Sequence, residues 1–322
     1  MNEAAAIPRL PTESAPARYR GRFAPSPTGP LHFGSLVAAL ASFCDARSAG
    51  GKWLLRIEDV DLPRSRRGAD THILATLDRY GFEWDEAITW QSRRTRHYDD
   101  ALARLQSAGL VYECACTRHE LEAAPVGAGG ERIYPGHCRN GIPSAHRSRP
   151  RRSWRLRVGD AVVECHDRRQ PAQRQAMEAE VGDFVVKRSD GLFAYQLAVV
   201  VDDGEQGVTD VVRGADLLAS TPRQVLLQQW LGLSTPSYLH VPVAINATGE
   251  KLSKQTGAAP LPDAPMPALL AAWSFLDQPP FPAQPVSVAE FWKWAHSSWR
   301  ASRVPPVPML PAPPAVDRRR GS

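Results

Sequence analysis

The chain has few cysteines and no long apolar run, and each shortage narrows its class. None of its apolar stretches approaches the roughly 18 consecutive residues that a membrane-spanning helix needs. The beginning, rich in Ala, Pro and Glu before Arg18, lacks the charged-then-apolar layout of a secretory leader, so a cytoplasmic protein without membrane contact is expected. Five cysteines, at 44, 114, 116, 138 and 165, form an odd set with no secretory signal, which argues against a disulfide framework. The close group at 114, 116 and 138 reads instead as metal ligands or reduced thiols. Beyond Gly257 the sequence is too Pro- and Ala-rich for a second large folded domain.

What remains is ordinary globular material. Of 322 residues, 43% are hydrophobic and 23% charged, enough to bury a core in one large domain or two moderate ones. The formal net charge of +5 permits an anionic partner, nucleotide or nucleic acid, without demanding one.

The organising stretch is Arg22 to Ser35, R-F-A-P-S-P-T-G-P-L-H-F-G-S. Its prolines and glycines make a stiff turn that leads into the apolar run Leu36 to Ala41, a strand, loop and helix junction. Unpaired N–H groups and the positive dipole end suit such a helix start to a phosphate, and His32 offers a further donor. A plain Pro/Gly connector is the competing reading.

In order, 1–18 is a mobile extension, and 19–23 a short strand before a helix from about Gly34 to Ala49. K-W-L-L-R-I at 52–57 is a strand ending in the acidic cluster Glu58, Asp59 and Asp61. This βαβ order places the cluster beside the opening loop, at the carboxyl end of the strands. Packing helices follow at about 65–81 and 92–108, with Trp84 and Trp90 between them as core or hinge aromatics. The stretch 111–181 differs in character: it holds four of the five cysteines and the arginines 147, 149, 151, 152, 155 and 157, either a phosphate-binding face or a solvated surface. It reads as an insertion between the halves 19–110 and 182–257 of a nucleotide-binding sheet.

Sheet-like sequence returns at 191–202, a buried apolar element after a turn at Asp190-Gly191. A short strand with Arg213 near its end, a helix at 221–231 opened by Thr221-Pro222, and a strand at 240–245 come next. The last part, 258–303, is a short helical segment with helices at 266–276 and 288–299, and 304–322 is a Pro-rich tail.

Two marks far apart in sequence, P-S-P-T-G-P-L-H-F-G-S at 25–35 and K-L-S-K-Q at 251–255, together resemble the paired signatures of class I aminoacyl-tRNA synthetases. R-F-A-P-S-P-T-G is similar to the glutamyl version, and Glu58, Tyr195 and Arg213 stand where glutamyl-type enzymes hold the amino acid. The resemblance covers about 20–255. It implies an α/β fold: a Rossmann-type parallel-sheet catalytic domain with a zinc-bearing insertion and a short helical C-terminal part. The short form, lacking the anticodon-binding domain of full-length glutamyl enzymes, resembles the glutamyl-Q tRNA(Asp) synthetase family, which attaches glutamate to queuosine in the anticodon of tRNA(Asp).

The resemblance implies L-glutamate, ATP with Mg2+, and queuosine-containing tRNA(Asp) as partners of a monomeric ligase. His32 and Lys254 are the expected catalytic residues; Gly34, Ser35 and Lys251 would join them on ATP. Arg22, Phe23, Ala24, Pro25, Ser26, Glu58, Tyr195 and Arg213 would hold glutamate, with Glu58 on the ammonium and the planar arginine forks on carboxylates. One structural Zn2+ per chain is implied on Cys114, Cys116 and Cys138, three soft ligands that need a fourth. Coordination chemistry alone would choose His137 or His119; the family pattern C-x-C followed by Y-x3-C selects Tyr134. Two departures stand out: Ser35 replaces a second histidine, and Gln255 replaces a final serine. Cys44 and Cys165 are expected to be inert. Two other readings compete: a short glutamyl-tRNA synthetase charging a tRNA 3′ end, and a non-catalytic tRNA-binding paralogue.

Overall fold

A computed structural model describes residues 18–127, 130–252, 258–283 and 285–314. The first half runs β1 (Arg20–Phe23), α1 (Phe33–Ser48), β2 (Lys52–Ile57), α2 (Ala69–Arg79), β3 (Thr89–Trp90) and α3 (Thr95–Ser107). Strand β2 pairs in parallel with both β1 and β3. Gly51 ends the turn after α1 under close constraint: a Cβ there would lie 2.5 Å from Tyr19 O. The start of β2 is thereby fixed against the residue that precedes β1.

The segment that follows carries β4 (Val111–Cys114), β5 (Ser153–Leu156), β6 (Val162–Cys165), β7 (Gln173–Ala176), α4 (Met177–Glu180) and β8 (Val185–Lys187). Its pairings β4-β5-β8 and β6-β7 are antiparallel, unlike those before and after. The arginines read as either a phosphate-binding face or a solvated surface largely build this unit. Arg149 clamps Glu120 with both Nη atoms (2.7 and 2.8 Å), Arg152 donates to Arg147 O, Arg155 to Asp183 O, and Arg157 to Arg139 O.

The chain continues through α5 (Tyr195–Glu205), β9 (Asp210–Gly214), α6 (Thr221–Trp230), β10 (Ser237–Val241), β11 (Val243–Ile245), α7 (Pro265–Phe275), α8 (Val288–Ser298) and β12 (Met309–Pro311). Strands β9 and β10 are parallel, and β9 lies beside β1, where Thr209 N donates to Arg20 O at 3.0 Å. The class I parallel-sheet architecture is thus present, with ligand space expected at the carboxyl ends of β1 and β9.

Three expectations are corrected. The run 191–202, read as sheet-like, is helix α5 from Tyr195 onward. Its consecutive valines 199–201 are branched, yet they are buried in one cluster with residues of α3 and α6, and packing overrides strand preference. The expected strand 240–245 is two strands, interrupted at Pro242, which has no N–H for a ladder. Part of the Pro-rich tail is ordered as β12, which pairs in parallel with β11.

Helices α7 and α8 pack Trp273, Phe291, Trp292 and Trp299 into the core that also takes α1 and β2. Among the described residues, no helix is long and apolar enough to cross a membrane.

Candidate active site and metal centre

The signature loop is pinned by backbone bonds to the strand-end cluster: Glu58 N donates to Pro25 O (3.0 Å) and Arg66 N to Pro27 O (2.9 Å). His32 is the N-cap of α1, its Nδ1 accepting from Ser35 N at 3.4 Å. Glycine at 34 lets the histidine ring approach, since a Cβ would stand 3.2 Å from His32 Cε1 and 3.6 Å from Leu252 O. The second signature therefore lies against the first.

Between them is a cleft of about 480 Å³, walled by Phe23, Pro25, Ser26, His32, Gly34 and Ser35 on one side. Gly214, Asp216, Lys251 and Leu252 form the other wall. Lys251 Nζ donates to Asp216 Oδ2 at 2.6 Å. Lys254 and Gln255 fall outside the described residues.

A second pocket of about 350 Å³ shares Ser26 and Thr28 with that cleft and is lined by Glu58, Asp61, Gln91, Arg188 and Tyr195. Burial pushes the Glu58 carboxyl up from its ordinary range, only partly offset by Arg56 and Arg22. Tyr195 opens α5, and burial pushes its hydroxyl up to about 12. A third cavity of about 560 Å³ touches both neighbours, through Asp216 and Tyr195, and has Arg132, Arg155 and Arg223 on its wall. Three spaces thus converge on Ser26, Tyr195 and Asp216.

The two arginines differ from the expectation of open forks. Arg22 lies within β1, 3% exposed, with its Nε 3.2 Å from Asp203 Oδ1. Arg213 is 4% exposed and already holds four partners. Ala24 is half-buried between Phe23 and Pro25.

Sequence reasoning missed the residue beneath them. Arg56, fully buried on β2, reaches Asp203 at 2.7 Å, Gln206 at 2.6 Å and Glu58 at 3.4 Å. Asp203 sits between Arg22 and Arg56, and burial, which would raise its pKa, is outweighed by these two cations. The sequence sign was an arginine inside the apolar run W-L-L-R-I of β2.

The cysteine expectation has a compact geometry. Sγ atoms of Cys114, Cys116 and Cys138 lie within 4.8 Å of one another. Cys116 and Cys138 are 3.7 Å apart, close to the edge of about 3.8 Å that four ligands around a metal with bonds of about 2.3 Å would give. The Tyr134 hydroxyl stands 3.4 Å from both Cys114 and Cys116 Sγ and is 3% exposed as a residue. His137 is exposed, and His119 turns to solvent against Glu122. Of the three fourth-ligand candidates, Tyr134 faces the thiols. A glycine at 182 is required beneath it, because a Cβ would lie 2.7 Å from Tyr134 N.

Residues 18–261 match the family model for tRNA synthetases class I (E and Q), catalytic domain. The chain belongs to this class, and it is a ligase of the aminoacyl-tRNA synthetase type. It is 54% identical over 312 residues to the glutamyl-Q tRNA(Asp) synthetase of Aromatoleum aromaticum, spanning 95% of this chain and 97% of that protein. With the enzyme of the same name from Burkholderia mallei it shares 62% over 263 residues, 79% of this chain and 87% of the other. Within the class the chain therefore belongs to the glutamyl-Q tRNA(Asp) synthetase family. A crystal structure of glutamate-tRNA synthetase from Elizabethkingia anophelis has the same fold, with a TM-score of 0.76 at 23% identity, covering 93% of this chain and 69% of that one.

Proposed function

We propose that the chain joins L-glutamate to ATP as glutamyl adenylate and passes the glutamyl group to the queuosine base in the anticodon of tRNA(Asp). The observation that carries this reading is the 54–62% identity to relatives bearing that name. Three adjoining cavities offer separate room for ATP, glutamate and acceptor.

In the first step a glutamate α-carboxylate oxygen attacks the α-phosphorus and pyrophosphate leaves. In the second, a hydroxyl of the queuosine cyclopentene diol attacks the activated carbonyl and AMP leaves. Neither step needs a covalent enzyme intermediate, so positioning and charge stabilisation supply the catalysis. His32 and the backbone at Gly34 and Ser35 would meet the phosphates at the start of α1, aided by Lys251 and by Lys254. Glu58 would take the ammonium and Tyr195 would close the wall. Arg22 and Arg213 would supply positive charge for the carboxylates, and the loop Phe23 to Ser26 the floor.

Cys114, Cys116, Cys138 and Tyr134 are assigned to one Zn2+, which when bound would tie β4 to the 134–138 loop and fold the insertion.

Glutamate-dependent pyrophosphate exchange, followed by transfer of labelled glutamate to tRNA(Asp) with and without queuosine, tests the proposal. Transfer only to the queuosine form is expected. Charging of tRNA(Glu) would favour the 3′-end reading, and the absence of exchange with any tRNA the binding-protein reading.

A further inference from the structure

Arg213 is the site cation whose surroundings specify it most completely. Its Nε donates to His240 Nε2 at 2.9 Å and Nη1 to Gln224 Oε1 at 2.7 Å. Nη2 donates to Thr221 Oγ1 at 3.0 Å and to Leu217 O at 3.4 Å. A guanidinium has five N–H donors, so four are engaged among the described residues and one, on Nη1, remains.

His240 stands opposite Arg213 in the β9–β10 register and is fully buried. Its Nε2 can accept from arginine only when the ring is neutral with the proton on Nδ1, which lies 2.7 Å from Asp167 Oδ2. Burial first, and then Arg213, push the imidazole down to about 4, against the pull of Asp167. Asp167 is itself fixed on both oxygens. Oδ1 accepts from Arg169 N (2.8 Å) and Gln170 N (2.7 Å), and Oδ2 accepts from His240 N (3.0 Å) as well as the ring.

The opposite edge of Arg213 leads toward the cavities. Gln224, its Nη1 partner, donates to Gln196 Oε1 at 3.0 Å, and Gln196 lines the third cavity beside Tyr195. The Nε edge of the guanidinium is therefore held by a ring that is itself fixed, whereas the Nη edge rests on the Gln224 and Thr221 side chains, which can exchange, and on the more distant Leu217 O.

We infer that Asp167 and His240 are positioning residues for Arg213, holding its Nε edge so that its Nη edge meets the glutamate carboxylate as Gln224 and Thr221 yield. This rests on the reading that Arg213 binds glutamate. Asp167 fixes the tautomer: an Asn there would turn an amide N–H₂ toward donors, the ring would reverse, and an Nε2–H would oppose the Nε–H of Arg213. Glutamine at 240 could keep both bonds, with an amide oxygen for Arg213 and an amide N–H for Asp167.

The test measures KM for glutamate and for ATP in pyrophosphate exchange, with thermal midpoint and metal content alongside, for His240→Leu, His240→Gln and Asp167→Asn. A buried donor left unmatched predicts a rise of about ten-fold in glutamate KM for His240→Leu and Asp167→Asn. ATP KM stays constant, and His240→Gln remains within about two-fold of the parent. An unchanged glutamate KM in Asp167→Asn, or His240→Gln as impaired as Asp167→Asn, would overturn the inference; these two variants decide even if His240→Leu fails to fold. Arg213→Gln is run in parallel. If that variant keeps the parent KM, the assignment of Arg213 to glutamate is what fails.

Discussion

Replacing Arg56 by methionine should damage stability and glutamate binding together. The side chain is 0% exposed, 2.7 Å from Asp203, 3.4 Å from Glu58 and 3.8 Å from Asp202. Methionine fills part of the volume but leaves Asp203 with Arg22 as its remaining cation, at 3.2 and 3.5 Å, while Glu58 loses the cation in contact with it. Removing one partner of a buried ion pair typically destabilises by about 3–5 kcal/mol. At roughly 2–4 °C per kcal/mol for a chain approaching this size, the thermal midpoint should fall by about 10 °C. The functional consequence has a definite sign. Burial already raises the Glu58 carboxyl, and Arg56 is the largest of the influences lowering it. Without Arg56 the carboxyl rises further, so the ionised form needed for an ammonium is lost at higher pH than in the parent. Glutamate KM should therefore climb more steeply as pH falls, while ATP KM stays flat. Differential scanning calorimetry and pyrophosphate exchange across pH measure the two effects. A midpoint within about 2 °C of the parent, with the same pH profile for glutamate, would refute the buried-hub reasoning.

Three further outcomes are expected. Gly214→Ala would place a Cβ 2.4 Å from Asp216 Oδ1, forcing that side chain off its 2.6 Å contact with Lys251, so ATP KM should rise in exchange assays with little change in midpoint. His240, depressed to about 4, is neutral in the fold but protonates near 6.5 when unfolded. Its contribution is complete above the unfolded value and lost as pH falls through the folded one, a decline of about 3 kcal/mol over that window. Asp167, Arg213 and Asp216 are the charged groups that act on it. Urea unfolding across this range should show the fall, and His240→Gln should flatten it. Cys138→Ser should lose stoichiometric metal by elemental analysis, whereas full retention would refute the cluster Cys114, Cys116, Tyr134 and Cys138 as the metal centre.

Features of the fold with local causes were legible in the sequence. Strand 52–57 is found at its expected bounds because Gly50-Gly51 and the acidic cluster punctuate it, and α1 begins within one residue because its cap and loop are local. The thiol cluster was legible because C-x-C places two soft ligands together with Cys138 close behind; Tyr134 came from the family pattern, since local chemistry would have chosen a histidine. Helix α5 was not, since its valines favour a strand in isolation and only the packing of α3 and α6 around them decides. The state of Arg22 was also hidden. Its partner Asp203 lies 181 residues away, and nothing near either residue announces the pair. Asp167 and His240, 73 residues apart, meet only because β10 passes the segment that follows β6. Charge compensation across the sheet is a tertiary property, and it is what converts the expected arginine forks into a restrained network.

What distinguishes this enzyme from one that charges a tRNA 3′ end is where the glutamate goes. The direct measurement is to incubate the protein with ATP, labelled glutamate and queuosine-containing tRNA(Asp), digest the RNA to nucleosides under mild conditions, and locate the label by mass spectrometry. A glutamyl-queuosine nucleoside is expected, with no label on the terminal adenosine. Label on the terminal adenosine, with queuosine unmodified, would contradict the proposed transfer.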